Sequence, residues 1–412
     1  MVLTYSVYIL LAFVCLWKGK FNNDFNDDFL DKRYTKSICG IAALFIIFHH
    51  ISQQPAFQDY TRELYFFNNI GYLAVCVFLF FSGYGLTTKV KQDKEYVNTF
   101  LAKRLITVLL PFYLTNIIFV ILNIGAMPLP RLLLGIFGFV NVNPNGWYPV
   151  TQTVLYLAFY VSNKLFKKDR SKILFELFVV IALICIFCVN GHFAWWYAKK
   201  GWWLRDNAFN NVAWWADQQV LLFSGEWWVN SAISFVLGTT LASYRNSIIN
   251  WLKKNYYIKL IISVMLFVAS YLVFTKINND YGYWSELWHV TPQIGDKFIT
   301  SFSQLFVCVF FIITLVMIMM KYEVKNPITS FMGNITYETY LIGYILLDVF
   351  SFLILNKKYY QPIVSQPFNY NLIVYTLCVL STTILFGYLL NRLDNYLIKK
   401  IQNRYSISNY RM

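Results

Sequence analysis

Hydrophobic runs of about 20 residues alternate with short polar stretches along almost the whole chain. A run of that length lets an α-helix cross the hydrocarbon core of a bilayer. The pattern therefore predicts an all-α fold, a polytopic helical bundle in a membrane. Eleven hydrophobic segments can be distinguished: Val2–Trp17, Ser37–Ser52, Asn69–Leu86, Leu105–Ala126, Trp147–Ser162, Ile173–Asn190, Gln219–Ser243, Ile258–Thr275, Ile299–Met320, Ile335–Leu355 and Leu372–Leu390.

Composition narrows the class of protein. Hydrophobic residues make up 58% of the 412 residues and charged residues only 13%, whereas charged residues account for about 25% of an ordinary soluble domain. The net charge of +15 would suit nucleic-acid binding, but the basic residues stand in short clusters between the hydrophobic runs. That dispersal is typical of loops facing an anionic membrane surface. We therefore expect membrane lipid, and no nucleic acid, as a partner.

The distribution of Lys and Arg predicts the orientation of the bundle. The connections after the first, third, fifth, seventh and ninth segments, together with the C-terminal tail, hold 26 of the 35 basic residues when Lys259, the second residue of the eighth segment, is counted with the connection before it, and the other connections hold 9. Because basic loops stay in the cytoplasm, we expect a multi-pass protein of the cell membrane with its N-terminus outside and its C-terminus in the cytoplasm. The first segment lacks a basic start and a small-residue cleavage site, so it is interpreted as a retained helix.

All seven cysteines fall inside hydrophobic segments, which predicts buried thiols and not disulfides. Cys185 and Cys188 have the CxxC spacing of some zinc sites, but they lie within a hydrophobic run, and no metal site is predicted there. The chain also contains no GxGxxG, P-loop or HExxH motif.

The stretch KSICGIAALFIIFHH, Lys36–His50, places two of the four histidines in a hydrophobic segment. Ionisable groups at membrane depth are costly and usually functional. At about 100° per residue, Lys36, Cys39 and His50 lie on one helical stripe. A histidine can take the proton of a hydroxyl and make it a nucleophile toward an activated acyl group. The alternative is that the pair His49 and His50 only makes polar contacts between helices.

Several motifs of this chain resemble those of the membrane acyltransferase-3 family. GIAALFIIFHH, from Gly40, is similar to the family's first core helix, in which a basic residue, Gly-Ile-Ala and then a His follow one another. The resemblance covers about residues 34–397. Five further stretches resemble family motifs in the expected order: FLFFSGYGL at 78–86, FLAKRLITVLLPFYL at 100–114, NGWYPV at 145–150, FVLGTTLASYRN at 235–246 and GNITYETYLIGYI at 333–345.

The resemblance implies roles for residues of the second segment. The family spacing assigns the catalytic His to His50 and leaves His49 as a neighbour that lines the site. The family's basic position falls on Cys39, so Lys36, one turn earlier, is expected to supply the cation. In the last motif, Gly343 stands where the family has a terminal His.

On this resemblance, the chain is expected to be a membrane O-acyltransferase. It would move an acyl group, usually acetyl, from cytoplasmic acetyl-CoA to a hydroxyl of a cell-envelope glycan or lipid-linked sugar. Acyl-CoA would be a co-substrate, and no permanently bound cofactor is expected. The fold implied is ten core transmembrane helices plus one extra N-terminal helix. Residues 1–33 would form the extra helix and its connection, residues 34–397 the acyltransferase domain and residues 398–412 a basic cytoplasmic tail.

Charged residues outside the second segment are further candidates. Lys103 and Arg104 lie in the family's basic motif and would neutralise the phosphates of coenzyme A, or else anchor a helix end at the cytoplasmic surface. Glu338 is a carboxylate inside a hydrophobic segment. It would either orient and charge His50 or form a structural ion pair with Lys36.

Small and aromatic residues complete the candidate site. Ser82 and Tyr84 flank a glycine and would either line the site or allow close packing of helices. Trp202 and Trp203 lie in a connection that contains three Trp-Trp pairs, and Trp147 belongs to the NGWYPV motif. Because indole faces stack on sugar rings, we expect these three to contact the acceptor, with interfacial anchoring as the alternative.

Two other classes of protein compete with the acyltransferase hypothesis. A transporter or flippase of a glycan or lipid-linked substrate would use the intramembrane His, Glu and Lys as a substrate or proton pathway. It does not explain the ordered motifs. A purely structural membrane scaffold predicts that none of the intramembrane charges affects activity.

Overall fold

The computed structural model describes residues 2–54, 56–122, 129–138, 142–189, 226–281, 294–355 and 369–404. Within these ranges the chain forms 14 α-helices and one pair of short antiparallel strands, β1 Lys20–Phe21 and β2 Tyr322–Glu323. The prediction of an all-α polytopic bundle is confirmed. The helices are α1 Val2–Leu16, α2 Lys32–Ser52, α3 Gly71–Gln92, α4 Tyr96–Leu122, α5 Leu129–Ile136, α6 Trp147–Leu165, α7 Asp169–Val189, α8 Glu226–Ser243, α9 Arg245–Lys253, α10 Tyr256–Tyr281, α11 Ile294–Met319, α12 Pro327–Asn334, α13 Thr336–Ile354 and α14 Asn369–Arg404.

Each of the eleven hydrophobic segments coincides with one of these helices. Two helices extend well beyond the hydrophobic run. α4 begins at Tyr96 instead of Leu105, and α14 continues to Arg404 instead of Leu390, because the flanking polar stretches contain good helix formers and neither Pro nor Gly. Seven of the described helices are long and apolar enough to cross a membrane: α2, α3, α4, α10, α11, α13 and α14.

Glycines allow the short helix α12 to lie directly on α2. A side chain at Gly40 of α2 would overlap the backbone of Thr329, and one at Gly333 of α12 would overlap the backbone of Lys36. Small residues permit this approach of two backbones inside a membrane bundle. α12 begins with a capping box between Asn326 and Thr329, which fixes its first turn. The first half of α2 is therefore held by a rigid neighbour.

The first helix, α1, is tied to the rest of the bundle at both ends. The backbone N–H of Thr4 donates to Glu63 Oε2 over 3.0 Å, and the Thr4 hydroxyl donates to the same oxygen. At the other end, the side-chain amide of Asn326 donates to the carbonyls of Val14 (2.7 Å) and Trp17 (3.2 Å). α1 thus connects the segment that follows α2 with the segment that precedes α12.

Several connections meet on one face of the bundle. These are the connections after the first, third, fifth, seventh and ninth hydrophobic segments, the same set that is rich in Lys and Arg. The hydrogen bond from Lys253 lowers the pKa of the exposed Asp27 carboxyl on this face. The contacts are Lys91 with Asp169 (3.3 Å) and with the carbonyl of Ser243 (2.6 Å), Lys253 with Asp27 (2.6 Å), and Lys321 with the carbonyl of Asn23.

Candidate functional site

His50 lies near the end of α2, among aromatic side chains of α13. Its Nδ1 is 3.3 Å from Gln53 Oε1, and its ring centroid is 5.5 Å from that of Tyr344 and 6.3 Å from that of Tyr340. With Nδ1–H donating to Gln53, Nε2 carries the lone pair. Nε2 is buried and has no hydrogen-bond partner within the described part of the chain. The geometry suits a neutral base.

His49 has a different environment, although it is the next residue. Its Nδ1 donates to the carbonyl of Phe67 over 2.8 Å, in the short 3₁₀ turn that precedes α3. Its ring fills the space that a side chain at Gly71 would occupy. His49 therefore joins α2 to the start of α3, which is a structural role.

A small cavity adjoins His50 between α2, α13 and α14. Its volume is about 10 Å³, close to the space that one water molecule needs. The hydroxyl of Thr383, a fully buried lining residue, also has no hydrogen-bond partner in the ranges that the structure covers. The lining residues are Ile46, Ile47, His50, Thr339, Tyr340, Gly343, Leu347, Val379 and Thr383.

Glu338 lies at the start of α13, on the side of Lys36. The Lys36 ammonium donates to Asn334 Oδ1, and the side-chain amide of Asn391 donates to both the Asn334 carbonyl (3.1 Å) and Glu338 Oε1 (2.9 Å). Lys36 and His50 are fourteen residues apart on one helix, or roughly 21 Å along its axis. The structure thus brings Glu338 close to Lys36, through two asparagines, whereas the polar contact of His50 is with Gln53.

Asp394 is a second buried carboxylate near Glu338. Only 1% of Asp394 is exposed, and neither of its carboxylate oxygens has a hydrogen-bond partner in the described residues. Its charge is repelled by that of Glu338. α13 and α14 approach closely here because Gly387 lies against Thr339, and Gly387 precedes Asn391 by one helical turn.

A cluster of cations surrounds Tyr96 at the beginning of α4. Arg104 Nε donates to the Tyr96 hydroxyl over 3.2 Å, and Lys89 Nζ lies 5.0 Å from the centre of the Tyr96 ring. Lys89 is in turn repelled by Arg104, Lys32 and Lys103. Lys103 and Arg104, the pair predicted from the sequence, are half-buried residues of α4. Together with Lys89 and Lys32 they form a larger group of cations.

Tyrosines lie between this cationic cluster and His50. Arg104 interacts electrostatically with Tyr156, which interacts with Tyr148. The ring centroids of Tyr148 and Tyr340 are 5.5 Å apart, and Tyr340 adjoins His50. Cys39 is close enough to Tyr148 to interact with it electrostatically. The side chains of Cys39 and Lys36 thus have different neighbours, the tyrosines and Asn334 respectively.

The Ser82-Gly83-Tyr84 stretch combines a packing contact with a polar one. A side chain at Gly83 would overlap the carbonyl of Phe235 in α8, so α3 and α8 are in backbone contact there. The Ser82 hydroxyl lies 3.0 Å from the Tyr156 hydroxyl. Ser82 is therefore next to the tyrosines, whereas the glycine serves helix packing.

The tryptophans predicted to contact the acceptor are only partly covered by the structure. Trp147 is half-buried at the start of α6, with its ring centroid 6.0 Å from that of Tyr148. It therefore adjoins the tyrosines. Trp202 and Trp203 lie outside the described residues.

The structure adds site residues that the sequence pattern did not single out. The side-chain amides of Asn143 and Asn145 donate to the carbonyls of Leu341 (3.2 Å) and Tyr340 (2.6 Å), so both hold the backbone of α13 beside His50. Each is only 1% exposed. The run NPNG between two hydrophobic segments is typical of a surface turn. The available signals were the two asparagines so close together and the position of Asn145 at the start of the NGWYPV stretch.

The arrangement suits acid-base chemistry on a small group. His50 lines a small cavity, Tyr340 and Tyr148 follow it toward α4, and cations adjoin the last tyrosine of the series. In the ranges described, no three or more His, Cys, Asp or Glu residues are grouped so that they could hold a metal ion.

Comparison with known proteins identifies the family. The family model described as "Acyltransferase domain", of the acyltransferase-3 type, matches residues 40–392. This stretch contains α2 from Gly40 onward, the cationic cluster of α4, and all of α13. No curated protein and no solved structure gives a significant match. The chain belongs to the acyltransferase-3 family of membrane acyltransferases.

Proposed function

We propose that this membrane acyltransferase is an O-acetyltransferase, moving an acetyl group from cytoplasmic acetyl-CoA to a hydroxyl of a cell-envelope glycan or lipid-linked sugar. The observation that carries the proposal is His50: its Nε2 is buried, carries the lone pair and has no hydrogen-bond partner among the described residues, and His50 lines a small cavity. The unpartnered nitrogen is the one expected of a general base.

In the simplest reaction, His50 Nε2 takes the proton of the acceptor hydroxyl. The resulting oxygen nucleophile attacks the thioester carbonyl, and the new C–O bond forms as the C–S bond breaks. The proton then passes from His50 to the departing thiolate of coenzyme A. A relay in which the acetyl group rests on His50 Nε2 before reaching the acceptor would use the same nitrogen.

The cationic cluster around Tyr96 supports a donor that carries phosphates. Lys89, Lys103 and Arg104 come from two helices, and their mutual repulsion would be relieved by an anion between them. The acetyl-pantetheine arm of the donor would extend along Tyr156, Tyr148 and Tyr340 to His50.

The sidedness of the reaction follows from the distribution of basic residues. The connections that carry most Lys and Arg meet on one face, and we take this face as cytoplasmic by the positive-inside rule. The N-terminus then lies outside. Acetyl-CoA would enter at Lys103 and Arg104, and the acceptor would approach His50 from the opposite side, where Trp147, Trp202 and Trp203 are candidates for stacking on a sugar.

Transport of a glycan or lipid-linked substrate is the competing function. It is favoured by Glu338 and Asp394, because two neighbouring buried carboxylates are typical of proton pathways. A transporter would use His50 in the same pathway, but acyl transfer is the function that needs a general base there. Acyl transfer predicts an acetylated acceptor, whereas transport predicts a substrate that has crossed the membrane unchanged.

The test is an incubation of membranes with radiolabelled acetyl-CoA. Membranes containing the wild-type protein should label an envelope glycan or lipid-linked sugar, and membranes containing equal amounts of His50→Ala should label it at least about 100-fold more slowly. Substrate movement without labelling would favour the transporter. Equal labelling by both proteins would contradict the role of His50 as the base.

A further inference from the structure

The cavity beside His50 is lined on one side by a glycine, Gly343. Gly343 faces α14, and a methyl group added there would meet a single described atom, Thr383 Cγ2, at 3.6 Å, an ordinary van der Waals distance. Gly343 contributes no side chain to the lining, so this part of the space next to His50 is open.

The walls of this space favour an apolar occupant. Four of the nine lining residues are aliphatic side chains from three helices: Ile46, Ile47, Leu347 and Val379. A bound water needs two to four polar partners, and predominantly apolar cavities stay dry. The volume of about 10 Å³ is close to one water molecule, and thus to one methyl group.

Two of the residues that line this space, His50 and Thr383, carry polar side-chain atoms. His50 Nε2 and Thr383 Oγ1 are buried and lack hydrogen-bond partners in the part of the chain described. A hydroxyl without a partner is an available donor for a carbonyl oxygen. A small acyl group has the matching composition, with one methyl group and one carbonyl oxygen.

We propose that this cavity is the acyl pocket of the enzyme and that it restricts the donor to acetyl-CoA, an inference that rests on the proposed acyltransferase function. The acetyl methyl group lies against Ile46, Ile47, Leu347 and Val379. The Thr383 hydroxyl donates to the thioester oxygen and stabilises the negative charge that develops there. Tyr340 lines both the pocket and the tyrosine path, so the donor reaches the pocket from that side.

The pocket predicts a preference among donors. Each extra methylene in the acyl chain of the donor would have to displace buried side chains that line the cavity. A difference of one methylene in an apolar pocket changes kcat/KM by about 10- to 200-fold. The wild-type enzyme should therefore use acetyl-CoA at least about tenfold better than propionyl-CoA, and butyryl-CoA less again.

The test is the ratio of kcat/KM for butyryl-CoA to that for acetyl-CoA in purified full-length variants. Leu347→Ala enlarges the pocket and should raise the ratio at least about tenfold. Leu346→Ala is the matched control, because Leu346 is also buried, on the same helix, and does not line the cavity. It should leave the ratio unchanged. An unchanged ratio in active Leu347→Ala enzyme would overturn the proposal.

A second variant covers the case in which Leu347→Ala does not fold. Gly343→Ala fits the backbone and its neighbours, but places a methyl group where the acetyl methyl would lie. Its kcat/KM for acetyl-CoA should fall at least about tenfold, whereas Gly85→Ala, where no described atom lies within 4 Å of the added carbon, should match the wild type. Full acetyl transfer by Gly343→Ala would overturn the proposal.

A third variant tests the hydroxyl. Thr383→Val keeps the shape of the side chain and removes the donor, and kcat should fall by about 100- to 1000-fold. An unchanged kcat would overturn the assignment of Thr383.

The outcomes separate this inference from the proposed function. Equal kcat/KM of the wild type for acetyl-CoA and butyryl-CoA would contradict the proposed acyl pocket. It would still be consistent with the proposed acyl transfer. Failure of the folded wild-type protein to transfer any acyl group would contradict both the acyl pocket and the proposed acyltransferase function.

Discussion

Asn391 and Glu338 are joined by a hydrogen bond of 2.9 Å between α14 and α13. The same amide group also donates to the carbonyl of Asn334, whose side chain accepts from Lys36. Glu338 is thus joined to Lys36 through Asn391 and Asn334, and Lys36 itself lies about 21 Å before His50 along α2. Its observed partner is a neutral amide, which needs only an oxygen acceptor.

We expect Glu338→Gln to retain most activity. Glutamine keeps a carbonyl oxygen for Asn391 and removes the repulsion between Glu338 and Asp394. Glu338→Ala leaves the Asn391 amide without that acceptor and should lower the free energy of unfolding by about 1–3 kcal/mol. Thermal denaturation in detergent measures the change in stability, and the pH profile of kcat in detergent measures the change in activity. A large loss of kcat in Glu338→Gln at wild-type stability would instead support a charged partner for His50.

The two adjacent histidines should separate stability from catalysis. His50→Ala removes the base and should lower kcat by about 10²- to 10⁴-fold with little change in melting temperature. His49→Ala removes the hydrogen bond to Phe67 and leaves a cavity against Gly71, so it should lower the melting temperature and keep most of kcat. Measuring kcat and the melting temperature of both variants at matched expression tests this prediction. The reverse ranking of kcat would contradict the assignment.

The cationic cluster should govern the affinity for the donor. Replacing Lys103 and Arg104 together by Gln should raise KM for acetyl-CoA at least about tenfold, because a hydrogen bond to a charged group is worth about 1.5–3 kcal/mol, and should change acceptor use much less. Lys399→Gln with Lys400→Gln is the matched control, since it removes the same charge from an exposed part of α14. An equal rise in KM in both variants would indicate a general effect of charge.

The sidedness can be measured by labelling single cysteines in a cysteine-free parent that retains activity. Phe66, 55% exposed in the segment after α2, and Gln92, exposed at the end of α3, lie on opposite faces in the proposed topology. Phe66→Cys should react with an impermeant thiol reagent in intact cells, and Gln92→Cys only after permeabilisation. Labelling of Gln92→Cys in sealed cells would reverse the orientation and exclude cytoplasmic entry of acetyl-CoA at α4.

The contact between α2 and α12 should be intolerant of any side chain. Gly40→Ala forces a methyl group into the backbone of Thr329, and overpacking of this kind costs about 1–3 kcal/mol. Gly85→Ala should not destabilise the protein, because the space around residue 85 is open in the described structure. Melting temperatures in detergent provide the comparison. A fully stable Gly40→Ala protein would mean that α12 can move away from α2.

Local pattern was enough to predict much of α2. Lys36, Cys39 and His50 are on one helix because the hydrophobic run and the helical repeat are properties of adjacent residues. The family spacing separated His50 from His49, and the two rings do have different neighbours. Boundaries were less predictable: α4 and α14 continue through polar stretches that lie outside the hydrophobic run.

Contacts between distant residues were not predictable from the pattern. Asn391 and Glu338 are 53 positions apart, and their contact depends on Gly387 allowing α13 and α14 to approach. Asp394 stands among the polar residues that end the chain, where a carboxylate would normally be solvated, yet it is buried. The partner of Lys36 could not be foreseen either, since Asn334 reaches it through the packing of α12 on α2.

The attachment of α1 bears on how the protein is made. The hydrogen bond between Asn326 and Val14 joins residues 312 positions apart, so α1 emerges from the ribosome long before Asn326 has been synthesised. At about 5–20 residues per second, that interval lasts roughly 15–60 seconds. Throughout it, the end of α1 at Val14 lacks Asn326, and the capping residue of α12 does not yet exist. The final attachment of α1 at its Val14 end therefore waits for the synthesis of Asn326, and nascent chains that stop short of residue 326 carry an α1 that is held at one end only.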